Sequence, residues 1–234
     1  MQLFFNPEIT DETDFFSFEK QESRHITKVL RKKEGDHLYI TNGNGWCFKA
    51  EITVATPNNC QAKIIKRNFS QPAGYRLHMA VAPTKMNDRY EWFLEKAVEI
   101  GVQEITPLIC ERSERKEIKM VRTERIVQSA VKQSLSFYLP KLNPPTSFRD
   151  FIKREHHGKL FIAHCEKTER SLLKDQLKPK EDVTILIGPE GDFTEEEIQL
   201  AKQKGFLPLT LGETRLRTET AAVVACHSVA FINL

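Results

Sequence analysis

Apolar and polar residues alternate along this chain in two successive rhythms. Up to about residue 70 the period is two. His37-Leu38-Tyr39-Ile40-Thr41 alternates, Asn42-Gly43-Asn44-Gly45 turns, and Trp46 to Ile52 returns. Asn-Gly between two such runs predicts a β-hairpin. Residues 60–66 predict another strand. Ahead of the hairpin, residues 24–31 predict a short helix with Ile26, Val29 and Leu30 facing inward. Residues 68–74, with Pro72 and Gly74, read as a linker. Beyond it the period changes. Residues 77–82 predict an apolar strand. Residues 87–100 predict a helix with Phe93, Ala97 and Ile100 on one face, Tyr90, Leu94 and Val98 beside them, Asn87 as its cap and Gly101 as its stop. Residues 103–110 and 159–163 predict strands, and residues 122–136 a helix. Val183-Thr184-Ile185-Leu186-Ile187 is a continuous apolar run, as in a parallel strand buried on both faces. Strands alternating with helices predict an α/β layer fold. The expected organisation is a mostly β segment over residues 1–72 and an α/β domain over residues 73–234.

The stretch from 183 to 225 is the most informative. The apolar run ends in Gly188-Pro189-Glu190-Gly191-Asp192. A well-signalled helix follows: Thr194 and Glu197 form a capping box, and Phe193 and Ile198 a hydrophobic staple. Gly205 ends it, and residues 207–211 predict the next strand, making one βαβ unit. That strand runs into Gly212-Glu213-Thr214-Arg215-Leu216-Arg217. Ligands of parallel sheets bind beyond the carboxyl ends of the strands. The first loop lacks the Lys and Ser/Thr of a Walker loop and the GxGxxG spacing, and Glu190 and Asp192 would repel phosphate. A neutral or cationic ligand with hydroxyls fits better, S-adenosylmethionine (SAM) being one. A plain acidic turn before a capped helix is the simpler reading of the same residues. The last segment, 218–231, is a small-residue helix capped by Thr218 or Thr220; Arg215 and Arg217 bring positive charge to the loop before it.

Composition narrows the class. The 234 residues are 40% hydrophobic and 29% charged, a globular balance that excludes a mainly disordered chain. No apolar run approaches the ~18 residues of a membrane span, and the N-terminus has no signal-peptide pattern, so a cytoplasmic protein is expected. Five scattered cysteines include no CxxC pair and suit neither a zinc site nor a disulfide framework. Net charge is only +3, but basic residues cluster at 20–33 and 112–132. Such stretches suit a polyanion such as RNA, or equally solvated helix faces.

At this point the motifs resemble a known family. Residues 186–193 resemble its GPEGG(F/L) loop, and residues 211–221 its LGxRILRxETA motif. Residues 85–102 resemble the K-x-x-(D)R-x-E-W…K-A-x-E-L-G-V segment. Val29-Leu30-Arg31 and Glu34-Gly35-Asp36 resemble the N-terminal VLR…GD motif. These mark the RsmE family, 16S rRNA (uracil-N3)-methyltransferases of the SPOUT superfamily. The resemblance covers nearly the whole chain in motif order. It implies a small N-terminal PUA-like β-barrel that binds RNA (1–72) and a C-terminal SPOUT α/β domain with a trefoil knot (73–234). It also implies a cytoplasmic homodimer, SAM as cofactor, no metal, and 16S rRNA, in the assembled small subunit, as partner.

Site residues follow from the same motifs. Ile187, Gly188, Pro189, Glu190, Gly191, Leu211, Gly212, Arg215 and Leu216 are expected to hold the cofactor. Arg217 is the candidate for stabilising the charge that develops on the uracil ring, and Glu219 for orienting Arg217 or accepting the N3 proton. Arg24, Lys28, Arg31, Lys32, Lys85, Arg89, Arg112 and Lys132 are the candidate RNA contacts; a surface pair of Arg89 with Glu91 is the plainer alternative. Two positions depart from the family pattern. Residues 132–136 read Lys-Gln-Ser-Leu-Ser where Glu-Gln-Ser-x-Arg is usual, and Asp192 replaces a common Gly. A SPOUT enzyme with another RNA target, or a ribosome-assembly factor without catalysis, are the rival readings.

Overall fold

The computed structural model describes residues 2–166 and 169–234. The chain divides into two compact units, one of residues up to Pro72 together with Val131–Leu139, the other of Ala73–Ala130 and Pro140–Leu234.

The first unit contains strands β1 (Leu3–Phe5) and β2 (Phe15–Phe18), helix α1 (Lys20–Arg24), and strands β3 (His37–Thr41), β4 (Trp46–Thr56) and β5 (Asn59–Phe69). They form one curled sheet in the order β1-β3-β4-β5-β2. Only the β1–β3 pair is parallel. Register shifts between Lys49 and Ala50 and between Ile52 and Val54 let the long β4 strand bend. Phe4, Phe18, Ile26, Ile40, Phe48 and Ile52 fill the concave side.

The helix predicted at 24–31 begins earlier, at Lys20, and widens over His25–Val29 into a π-type turn, with Leu30 N–H reaching His25 O (3.0 Å). The wider turn keeps Ile26 buried but swings Val29 out to 65% exposure. The distant segment 131–139 also joins this unit. Gly45 N–H and the Thr41 hydroxyl both donate to Phe137 O (2.9 and 3.1 Å), and the Tyr138 hydroxyl donates to Ser70 O (2.7 Å).

The second unit contains β6 (Leu77–Val81), α2 (Asn87–Ile100), β7 (Glu104–Ile109), α3 (Met120–Ser134), β8 (Lys141–Leu142), β9 (Thr146–Ser147) and α4 (Phe148–Lys153). There follow β10 (Lys159–Ala163), β11 (Ser171–Leu172), α5 (Leu173–Gln176), β12 (Val183–Ile187), α6 (Glu195–Gln203), β13 (Leu207–Thr210) and α7 (Thr218–Ile232). The last residues of α3 belong to the first unit. All pairings are parallel, in the order β11-β13-β10-β12-β6-β7-β8, with β9 also on β7. Every residue of β12 is buried, as its unbroken apolar run requires.

The βαβ unit expected at 183–211 is not a neighbouring pair. β10 lies between β12 and β13, so three strands end side by side. The capping box of α6 forms in both directions: Glu197 N–H donates to the Thr194 hydroxyl (3.2 Å), and Thr194 N–H to Glu197 Oε2 (3.0 Å). Phe193 and Ile198 meet in one buried cluster with Phe148 and Phe206. Gly101 ends α2 at φ 103°, but Asn87 does not cap that helix. Met86 occupies the cap position without a side-chain bond.

At the opposite, amino-terminal ends of β6 and β7, His78 Nε2 lies 2.7 Å from the Thr106 hydroxyl and Nδ1 3.9 Å from Glu104 Oε2. Arg76, Lys141 (3.3 Å) and Asn143 (2.7 Å) complete the shell around Glu104. Burial pushes the His78 imidazole down to about 4, against the pull of Glu104. Below pH 6.5 the unfolded chain takes up this proton while the folded chain resists until about pH 4, so acidity favours unfolding through that window. Glu104 adds to the loss. Burial raises its pKa, but the Asn143 hydrogen bond and the neighbouring cations hold it below the usual carboxylate range. Thermal unfolding followed from pH 7.5 to 4.5 is therefore expected to fall steeply, by roughly 3 kcal/mol from His78 alone. His78→Asn should flatten that slope even where it lowers the starting stability.

Candidate active site

The carboxyl ends of β10, β12 and β13 open into one cavity of about 280 Å³. From the β12 loop come Ile187, Gly188, Pro189 and Glu190, and from the β13 loop Leu211, Gly212, Arg215, Leu216 and Arg217. Gly191 stands just outside the lining, packed against Arg112, where a Cβ would lie 3.3 Å from the Arg112 Cβ.

The β12 loop is held on every side. Its turn closes with Asp192 N–H on Pro189 O (2.9 Å). Asp192 sits at φ 63°, a left-handed conformation that Asp tolerates better than most residues. The substitution of Asp for the usual Gly thus keeps the backbone turn and adds a carboxylate. One Asp192 oxygen accepts from Phe193 N–H (2.8 Å), and the other from Cys165 N–H (2.8 Å), tying the β10 loop to the β12 loop. The Phe193 ring lies beneath Gly188, and a Cβ there would come within 3.0 Å of it. Thr218 is not the cap of α7 but its first residue; Arg217 holds the cap position without a side-chain bond. The Thr218 hydroxyl instead donates to Gly188 O (3.0 Å). Arg215 donates to Glu190 O (3.2 Å), and Lys85 N–H to Glu190 Oε1 (2.9 Å).

The lining divides by chemistry. Ile187, Leu209, Leu211, Leu216 and Ala221 supply its apolar part. Glu190 and Asp192 share the rest of the lining with Arg170, Arg215 and Arg217, so both signs of charge border the cavity. The β10 side of the cavity had no sequence signal of its own. Ala163, His164, Cys165 and Arg170 line it, and no glycine marks their loop. His164 is buried, both its ring nitrogens lack a partner among the described residues, and burial holds its pKa below the ordinary range.

Arg217 is exposed, and its side chain carries no hydrogen bond or ion pair among the described residues. Glu219 is buried in the first turn of α7, outside the cavity lining. Its Oε1 lies 3.8 Å from Arg89 Nε rather than on Arg217, and its Oε2 has no partner among the described residues. Arg89 and Glu91 do not pair with each other: Glu91 binds Arg122 at 2.7 Å. Lys85 Nζ is bound to Glu114 (2.8 Å), and Arg112 to the carbonyls of Gly191 (3.0 Å) and Phe193 (3.3 Å). In the first unit Lys132 lies 3.8 Å from Glu22. Arg24, Lys28, Arg31 and Lys32 have no ion pair among the described residues. Among those residues no His, Cys, Asp or Glu cluster forms a metal site, and no helix is long and apolar enough to cross a membrane.

Comparison with family models decides the assignment. The model described as RNA methyltransferase domain matches residues 71–230. The chain belongs to the RNA methyltransferase family. A second model, RNA methyltransferase PUA domain, matches residues 18–65 of this methyltransferase, inside the curled sheet. Among curated relatives, the Ribosomal RNA small subunit methyltransferase E of Buchnera aphidicola subsp. Acyrthosiphon pisum is 34% identical, over 93% of this methyltransferase and 89% of the relative. A crystal structure of a "probable rRNA-methyltransferase" from Porphyromonas gingivalis superposes with a TM-score of 0.92 at 39% identity, covering 100% of this chain and 98% of that one. A Ribosomal RNA small subunit methyltransferase E from Neisseria gonorrhoeae, crystallised bound to S-adenosyl methionine, superposes with a TM-score of 0.89 at 27% identity, covering 100% and 98%. The methyltransferase thus has a PUA-like first unit and a SPOUT-type α/β second unit.

Proposed function

We propose that this methyltransferase transfers the methyl group of SAM to N3 of one uridine in 16S rRNA of the small ribosomal subunit. The observation that carries the reading is the cavity at the ends of β10, β12 and β13, lined by apolar residues and by both signs of charge. The SAM-bound relative of the same fold supports it. In this reading residues 1–72 are the RNA-binding domain and residues 73–234 the catalytic one. Ile187, Gly188, Pro189, Glu190 and Gly191 hold the cofactor from one side, and Leu211, Gly212, Arg215 and Leu216 from the other. Titration calorimetry with SAM is expected to show binding that Gly212→Val weakens; a wild-type protein that takes up no SAM would contradict the reading.

SAM supplies an electrophilic methyl group. The chain must orient the base, allow the N3 proton to leave, and stabilise negative charge spreading over N3, O2 and O4. Arg217, without a partner among the described residues and lining the cavity, suits the last task because its fixed donor fork stays charged. Glu219 is placed to act with Arg89, which lies 3.8 Å from one of its oxygens, the other having no partner among the described residues. A paired uridine hides N3, so the target base must be unstacked or pulled out. Arg24, Lys28, Arg31 and Lys32 form the phosphate-binding surface. Lys28→Ala is expected to weaken RNA binding at all sequences and to lower the salt-dependence slope by about 1. An unchanged slope in filter binding would remove Lys28 from the interface.

The same reading places the enzyme in the cytoplasm as a homodimer, acting on the assembled subunit, and Phe231, 68% exposed on α7, supports a dimer face. It takes the β12 and β13 loops as parts of a trefoil knot.

A further inference from the structure

Between β7 and α3 lies a short basic segment that has no place in the proposed chemistry. Its charge reads as part of an RNA surface, but its two arginines are bonded to the carbonyls of two loops. Arg112 donates to Gly191 O (3.0 Å) and Phe193 O (3.3 Å) in the β12 loop. Arg115 donates to Thr84 O (3.2 Å) and Lys85 O (2.8 Å) in the β6–α2 loop. The two loops are joined directly by the Lys85 N–H bond to Glu190 Oε1 (2.9 Å). The segment itself is fastened at both sides: Glu111 N–H donates to Glu197 Oε1 (2.9 Å), the Ser113 hydroxyl accepts from Cys110 N–H (2.9 Å), and Glu114 binds Lys85 Nζ (2.8 Å).

We propose that Arg112 and Arg115 are positioning residues that clamp the cofactor loop from behind, and that neither is an RNA contact. A loop outside regular structure leaves its carbonyls without ladder partners, and a guanidinium can serve two of them in fixed geometry. With Gly191 and Phe193 held from outside, the Gly188–Glu190 backbone faces the cavity already in shape, so less ordering remains to be paid on binding. The clamp rests on the reading of this cavity as the SAM site.

The test uses the full-length protein, with S-adenosylhomocysteine as the probe in calorimetry and a small-subunit rRNA fragment in filter binding. Arg112→Ala and Arg115→Ala are each expected to weaken S-adenosylhomocysteine about tenfold. The double variant should lose less than the product of the two, because both brace one joined unit. Arg112→Lys, which keeps one donor group for one carbonyl, should recover part of the loss. RNA affinity and its salt slope should stay at the wild-type values. Unchanged S-adenosylhomocysteine affinity with a lowered salt slope would overturn the proposal and return both arginines to the RNA surface. A lowered melting temperature with unchanged ligand affinity would overturn it too, leaving a purely structural role. A wild-type protein that binds no S-adenosylhomocysteine would remove the SAM-site reading itself, and the clamp with it. Binding by the wild type with equal affinity in every variant removes the clamp alone.

Discussion

Arg217→Ala is expected to lower kcat by roughly 10²–10³-fold while changing SAM affinity by less than threefold. The scale is that of removing one donor aimed at developing charge. Arg217 lines the cavity next to the loop that frames the cofactor, yet its side chain makes no intramolecular bond among the described residues. It is therefore free to meet a substrate oxygen and not committed to shaping the cavity. Single-turnover kinetics beside calorimetry separate the two roles. Equal losses in both would mark Arg217 as a cofactor ligand.

Phe193→Ala is expected to be the most damaging core change near the site, at about 3–5 kcal/mol of stability. The ring is 1% exposed, packs on Phe148 at 5.6 Å between centroids, and forms the floor under Gly188. Its loss opens a void where the β12 loop rests, so SAM affinity should fall with stability. Phe193→Leu, which retains most of the volume, should recover the larger part of both. A melting temperature within a degree of wild type for Phe193→Ala would show that the loop stands without this support.

Strong local signals carried over into the structure closely. The apolar run of β12, the hairpin of β3 and β4, the capping box of α6 and the left-handed stop at Gly101 all rest on neighbouring residues, and all formed. Helix caps read from residue type alone were less reliable. Asn87 lies one residue inside α2, and the Thr218 hydroxyl was taken by Gly188 O, a partner 30 positions away. The wide turn at His25–Val29 broke the 3.6-residue period on which Val29 was assigned to the core.

That the two glycine-bearing loops line one cavity was legible because clefts of parallel sheets open at the carboxyl ends of the strands. The third wall was not. β10 reaches the site only through its position between β12 and β13, a matter of sheet order that no local pattern records. Charge partners are equally invisible in the sequence. Lys85, Arg89 and Arg112 look like free cations there, but each meets a carboxylate or carbonyl supplied by a distant segment. Arg24, Lys28, Arg31 and Lys32 have no ion pair among the described residues.

The most direct test of the central claim is to incubate the protein with methyl-labelled SAM and small ribosomal subunits from cells lacking the activity, then digest the rRNA and separate its nucleosides. The account predicts label in 3-methyluridine, abolished by Arg217→Ala. Label in a different nucleoside would contradict the assignment to uracil N3, and no label in any nucleoside would contradict the assignment to this rRNA.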